Sequence, residues 1–421
     1  MSTQSKTSRR PRLPVVTALV TAAVCAVSLG VSAGPAPAHG NGGGGGRDSA
    51  GDPLSQRQLQ REVDRTLKKA GYIAVSVQVR DGQRRTYAVG GEAELGTGRP
   101  VSHAAGFRAA SVTKTFVSTV VLQLVAEGRL SLDDTVEEWL PGLVTGNGND
   151  GSRITVRHLL QHTSGLYNYD FTEDTGDTAA DFERTRFDHY EPEEAVAGAL
   201  KHKPDFEPAD PNDPDPDWNY SNTGYIVAGM IIEKVTGRSW DREVRDRIVR
   251  PLGLTQTYAP GDDPGLKGPY THSYQQFPGS TGWTDTSIRN VSWATAAGEL
   301  ITGERDLDRF LTALQRGRLL PPAQMAELRR TVPAGADFQQ IFPGLHYGLG
   351  VMRQPLSCGG YRWGHGGDLE GQTVRTAVSA DGQRTVVLNA TGKKADDESL
   401  FRAEGAVQAL LDRAICGGGD R

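Results

Sequence analysis

Positive charge is in short supply in this chain: 46 Lys and Arg stand against 51 Asp and Glu, a formal net charge of −5. A surface of that sign argues against nucleic acid and against anionic membrane surfaces as partners. No phosphate-cradling loop of the Walker kind occurs, and no G-x-S-x-G elbow within 54–416, which disfavours an α/β-hydrolase. His158 and His162 are spaced as in zinc-binding helices, but Leu159 stands where H-E-x-x-H has its glutamate, so no metal site is expected. No internal repeat is apparent, and no second long apolar run follows the first.

That first run extends from Leu13 to Ala33, after Lys6, Arg9, Arg10 and Arg12 and before Ala36-Pro37-Ala38. The order of basic start, apolar stretch and A-x-A site predicts a signal peptide over 1–38 and an exported, extracellular protein. The competing reading is an uncleaved anchor, since the run is nearly long enough to span a bilayer. Ser8-Arg9-Arg10 raises a twin-arginine route, which Pro11 and Arg12 fit poorly. Removing 1–38 leaves 42 basic and 51 acidic side chains, a net charge of −9. Cysteine is scarce too, three in all. Cys25 falls in the signal, so Cys358 and Cys416 remain, and an exported chain with two cysteines most simply pairs them. Two buried free thiols are the alternative. No membrane contact beyond the signal segment is expected, and the protein is expected to be a monomer.

Residues 39–53 are Gly-rich and polar, the composition of a flexible leader. A helix carrying Leu59, Val63 and Leu67 opens the folded domain, 54–416, and a short tail, 417–421, ends the chain. Two β-rich runs, 73–80 and 84–89, join through Asp81-Gly82, a strong hairpin signal. The pattern recurs in 373–380 and 385–390 around Asp381-Gly382, with a helix from about Asp397 to Ile415. Strands at both ends with helices between predict a mixed α/β (α+β) fold. One antiparallel sheet, built from both chain ends and flanked by helices, would carry an inserted, mainly helical lobe at about 111–335, with the site in the cleft between them. The acidic residues between Asp205 and Asp217 alternate with prolines. Calcium suits such carboxylates, but the spacing reads better as a stiff, solvated loop.

Three short motifs carry the chemistry: Ser111-Val112-Thr113-Lys114, Tyr220-Ser221-Asn222 and His365-Gly366-Gly367. Val117, Val120, Val121, Leu124 and Val125 follow the first at helical spacing, with Gly128 as a stop. On a helix, Ser111 and Lys114 share a face about one turn apart. The serine then sits at the amino end, where free backbone N–H groups favour developing negative charge. A desolvated Lys114 could lose its proton and accept that of the serine hydroxyl.

The three motifs in this order resemble the serine β-lactamase and penicillin-binding superfamily. Y-x-N and H-x-G place the resemblance in the branch of secreted actinobacterial D-alanyl-D-alanine carboxypeptidases and class C β-lactamase relatives. It extends through Ile154 to Leu166, Trp218 to Tyr225, Ser292-Trp293-Ala294 and Tyr347-Gly348-Leu349-Gly350. The resemblance implies an exported serine hydrolase working through an acyl-enzyme on cell-wall stem peptides or β-lactams. Its expected activity is D-alanyl-D-alanine carboxypeptidase, and no cofactor is needed. A β-lactamase or esterase of the same fold is the first alternative, and a non-catalytic cell-wall peptide-binding module the second.

The resemblance also assigns roles. Ser111 attacks, Lys114 and Tyr220 move protons, and either of the two can be the base. The Asn222 amide would hold Lys114 and the substrate, or serve a turn. His365 would donate to Tyr220 or to the substrate, or be a satisfied structural histidine. Backbone N–H groups of Ser111 and Asp368 would hold the oxyanion. Gly366 and Gly367 would let a substrate backbone pair along the strand edge. Related carboxypeptidases usually carry threonine at the position of Gly366, so recognition of a terminal carboxylate is weakened here, with Asp368 close by. Arg353 is the favoured compensating cation, ahead of Arg362. Trp293 and one of Tyr167, Tyr169 or Phe171 are expected to line the cleft.

Overall fold

The computed structural model describes residues 51–210 and 213–418. The expected signal segment, most of the Gly-rich stretch and the last tail residues lie outside these. Ser55 and Gln58 form a capping box at the start of α1 (Gln56–Ala70), and Gly71 ends the helix at φ +73°. Leu59 and Val63 are fully buried along it. The strands β1 (Ala74–Asp81) and β2 (Arg84–Gly91) form a hairpin with Asp81 opposite Arg84. Gly82 turns it at φ +60°, a setting that suits a residue without Cβ.

The chain then leaves the sheet for the helical lobe. The helices α2 (Thr113–Ala126), α3 (Val156–Gln161), α4 (Asn222–Thr236) and α5 (Glu304–Gln315) are those that bear on the sites below. The sheet resumes at β3 (Val332–Pro333), followed by α6 (Ala336–Ile341), β4 (His346–Tyr347) and β5 (Met352–Pro355). Then come β6 (Tyr361–Gly364), β7 (Gly366–Leu369), β8 (Gln372–Ser379), β9 (Arg384–Thr391) and the closing helix α7 (Asp397–Cys416).

All pairings in this sheet are antiparallel, in the order β2-β1-β9-β8, then β6 and β7 end to end on β8, then β5-β4-β3. The two chain ends therefore meet at β1 and β9, as the repeated hairpin pattern predicts. Trp363 faces Val378 and Gly366 faces Arg375, so β6 and β7 keep one register through His365. The break arises because the His365 amide donates to Thr376 Oγ1 at 2.9 Å.

Alternation sends Val75, Val77, Val79, Val386 and Leu388 toward α1 and α7, and Val374, Val378 and Val387 toward the lobe. Both faces are covered. Cys358, in the turn between β5 and β6, is bridged to Cys416 at the end of α7, 58 residues on. A closed loop of that length contributes roughly 4 kcal/mol by the chain-entropy argument. In the acidic proline-rich loop, Asp205 accepts from Asn219 at 2.6 Å and Glu207 pairs with Arg153 at 2.5 Å. Among the described residues no group of three or more His, Cys, Asp or Glu is placed to hold a metal ion, and no helix is long and apolar enough to cross a membrane.

Candidate active site

The chain reaches Ser111 through Ala110 at φ +47°, a setting that strains an alanine and turns the backbone into a helix. One 3-10 turn, Ala110–Val112, runs directly into α2. Helical spacing then brings Lys114 Nζ to 3.1 Å from Ser111 Oγ. Lys114 is wholly buried, and its other hydrogen bonds go to neutral acceptors, Asn222 Oδ1 at 2.7 Å and the Ala297 carbonyl at 2.8 Å. The rings of Tyr220 and Tyr225 lie 4.9 and 5.4 Å from Nζ. Burial lowers the Lys114 pKa well below the ordinary lysine value.

Tyr220 is buried too. Burial pushes its phenol above the ordinary range, while a hydrogen bond with Ser111 pulls the other way. Its ring is fixed between Phe338, stacked at 5.4 Å, and His162 at 4.3 Å. His162 ends α3 at φ +65°, and its Nδ1 accepts the Ser221 amide at 3.2 Å. His158, by contrast, caps the start of α3, its Nδ1 taking the Thr155 amide at 3.2 Å. The two histidines thus serve opposite ends of one helix. Ser221 caps α4, so Asn222 reaches Lys114 from the first helical turn and not along an extended segment. The backbone N–H of Asn222 donates to Asn168 Oδ1 at 2.7 Å.

The strand β7 closes the other side. A Cβ on Gly367 would lie 2.4 Å from the Ala109 carbonyl oxygen and 3.1 Å from the Ser111 nitrogen, so only glycine permits this approach to the nucleophile helix. Gly366 points the opposite way, against Arg375. Asp368 binds Arg375 at 2.8 Å and Lys393 at 3.0 Å. Enclosure raises its pKa, but these two cations prevail and hold the carboxyl below the usual range. Glu404 of α7 completes the set with a forked bond to Arg375, whose shortest arm is 2.6 Å.

His365 does not reach toward Tyr220 or open space. Its Nδ1 donates to the Gly366 carbonyl at 2.5 Å, which leaves Nε2 to accept from the Tyr347 hydroxyl at 2.8 Å. Burial and the neighbouring Lys114 depress its pKa to about 3, so the ring is neutral. Of the readings the sequence left open, donation to Tyr220 or the substrate is corrected and the satisfied structural histidine is the one found: both nitrogens are spent on protein atoms.

A cavity of about 500 Å³ opens in front of Ser111, Tyr220, Asn222 and β7. Trp293 and Phe171 line it as a stacked pair, ring centroids 4.3 Å apart, with Phe277, Phe338 and Phe342 also on its wall. Tyr167 turns away to stack on His202 at 3.9 Å. Arg353 is corrected as well. It lies on β5 between the cavity-lining Met352 and Gln354, so alternation sends it to the other face, over the Tyr361 ring at 4.6 Å. Arg362 lines the cavity instead, donating to Gln354 and Gln408.

The sequence reading did not find Asn168, the Ala297 carbonyl, or the Arg375–Glu404 pair. Arg375 had a signal: a charged residue in the middle of a buried strand needs a partner.

With this geometry in place, the comparisons with known proteins can be read. The sequence matches the family described as Beta-lactamase over residues 59–410, which spans the site and both chain ends of the sheet. The chain belongs to the β-lactamase family. Among solved structures, a D-stereospecific amidohydrolase from Streptomyces sp. is 38% identical with a TM-score of 0.73, over 83% of this chain and 98% of that one. D-amino acid amidase from Ochrobactrum anthropi SV3 is 26% identical with a TM-score of 0.68, over 85% of this chain and 99% of that one. Penicillin-binding protein 4 of Amycolatopsis lactamdurans is 38% identical over 162 residues, 38% of each chain. The chain thus spans well under two thirds of that curated relative.

Proposed function

We propose that the protein is a D-stereospecific serine amidohydrolase acting through an acyl-enzyme. The observation that carries this reading is the neutral environment of Lys114 at 3.1 Å from Ser111. Burial pushes Lys114 down and Tyr220 up, and both shifts favour a free amine beside an intact phenol. Lys114 is therefore the base and Tyr220 the proton relay. The Ser111 proton passes to Nζ as Oγ bonds to the amide carbon, and the oxyanion is held by the N–H groups of Ser111 and Asp368. The C–N bond then breaks as the proton returns through the Tyr220 hydroxyl to the leaving nitrogen. Water, deprotonated by the same amine, releases the acyl group as a carboxylic acid. Asn222 orients the Lys114 amine, and His365 positions β7 through the Gly366 carbonyl.

For the substrate, the aromatic wall of Phe171, Trp293 and Phe338 favours an apolar side chain. The Streptomyces D-stereospecific amidohydrolase, similar over nearly its whole length, supports D configuration. D-alanyl-D-alanine carboxypeptidase action is the narrower reading. It is weighed against by Gly366, which offers no hydroxyl to a terminal carboxylate, and by Arg375, whose charge Asp368 and Glu404 already answer. The disulfide suits the oxidising setting of an exported protein.

The test compares D-phenylalaninamide, its L enantiomer and an N-acylated D-Ala-D-Ala peptide as substrates, with Ser111→Ala as control. Turnover of the D-amide alone, lost in the variant, is the expected result. Preferential release of D-alanine from the peptide would restore the carboxypeptidase reading, and turnover surviving Ser111→Ala would sink both.

A further inference from the structure

A second concavity, of about 350 Å³, lies between the β1–β2 turn and α5, and shares no lining residue with the cavity at Ser111. Five arginines line it, Arg80, Arg85, Arg309, Arg316 and Arg318, with Asp308 the one acidic residue of its lining. In a chain whose net charge is negative, so local an excess of guanidinium calls for an account.

Their roles differ. Arg80 is structural: it is buried, binds Asp308 at 2.6 Å, and ties the two hairpin turns together through Gly82, Gly382 and Gln383 carbonyls. Asp308 takes Arg85 Nε on its second oxygen at 3.0 Å, and with that its charge is fully engaged. Arg309 is held by the Leu252 and Gly253 carbonyls, each at 2.9 Å. Arg316 is held by the Gly382 carbonyl at 3.2 Å and Gln383 Oε1 at 3.1 Å. These acceptors orient the guanidiniums and leave their charge in place. Arg318 is exposed at the rim.

We propose that this groove binds a phosphate-bearing molecule. Pre-set guanidinium forks match the oxygens of a phosphate, and an anion among them relieves their mutual repulsion. The concavity is larger than one phosphate group, so it has room for a carrier of the phosphate. Either a small phosphorylated compound or one unit of a phosphodiester polymer has this chemistry. The groove shares no lining residue with the cavity at Ser111, so its occupant is not the amide substrate.

The experiment is calorimetric titration of the disulfide-bonded protein with glycerol phosphate, with poly(glycerol phosphate) and with single-stranded DNA, at fixed ionic strength in chloride. The parent is compared with Arg309→Gln/Arg318→Gln, and with Arg318→Glu alone should the double variant fail to fold. Saturable binding of the phosphate probes, weakened about tenfold for each guanidinium removed, with unchanged amide hydrolysis, is the expected result. Equal affinity per phosphate for monomer and polymer identifies a small ligand, and tighter polymer binding identifies the polymer. Unsaturable binding, or binding untouched by the substitutions, would overturn the proposal, and the tighter-bound of poly(glycerol phosphate) and DNA shows which backbone the groove fits.

Discussion

Two cations are enclosed on opposite faces of β7, and their surroundings put them in opposite states. Lys114 has only neutral partners, and burial drives its pKa down. Arg375 has two carboxylates, Asp368 and Glu404; burial lowers its pKa, but the carboxylates outweigh it and leave the guanidinium firmly charged. An unanswered buried amine can give up its proton, so it becomes a base. An answered guanidinium cannot, so it becomes a brace that ties the edge strand to α7. The glycines make the division possible: Gly367 admits the nucleophile helix on one face and Gly366 admits Arg375 on the other.

The largest effect is expected from giving the first cation the nature of the second. Lys114→Arg keeps a positive side chain that cannot deprotonate at any working pH. On the mechanism proposed above, kcat/KM for a D-amide falls by about four orders of magnitude, while circular dichroism shows a folded chain. Activity within tenfold of the parent would remove Lys114 as the base. The converse change strips the brace. Glu404→Ala leaves Arg375 with Asp368 alone, and urea unfolding should register a loss of about 3 kcal/mol. Glu404→Gln, which keeps an acceptor, should lose less. Equal losses would mean that charge is not what holds β7.

Much of this division was legible in the sequence, and the rest was not for definite reasons. β-Rich runs around Asp81-Gly82 and Asp381-Gly382 announced the two hairpins, and their placement at the chain ends announced the shared sheet. Ser111 and Lys114 are three apart on one helix, so their contact follows from local geometry. Arg353 was misplaced because a strand's facing depends on register, and a shift of one residue exchanges the faces. For His365 the sequence could not choose between a donor and a satisfied structural histidine, because its partner, Tyr347, is brought near only by the sheet. Asn168, the Ala297 carbonyl and Glu404 are contributions of tertiary packing, for which spacing carries no signal.

A smaller change tests whether the missing carboxylate is what matters at Lys114. Asn222→Asp places an anion where Oδ1 now stands at 2.7 Å. An opposite charge at that range raises a lysine pKa by about 1–3 units. Since the amine must be deprotonated to act, the rising limb of the pH–rate profile moves to higher pH, and activity at neutral pH falls by about a hundredfold. Recovery at alkaline pH separates this from simple damage to the site. An unmoved limb would show that Lys114 does not limit the rate.

The gentlest test uses the neutral histidines beside Lys114. Burial first, and then Lys114, lowers the pKa of both His162 and His365, the latter from 6.5 to about 3. Below pH 6.5 the unfolded chain takes up a proton at each position and the folded chain does not. The stability these groups contribute is therefore present above pH 6.5 and is lost as the pH falls toward the folded value. Each adds a slope of about 1.4 kcal/mol per pH unit in that window. His365→Asn removes one such slope. Urea unfolding at pH 6 and pH 5 should show the variant losing less stability than the parent over that step, even if it starts lower. Parallel losses would mean that the parent takes up a proton at His365 without unfolding, and that the bond from Tyr347 does not hold the ring neutral.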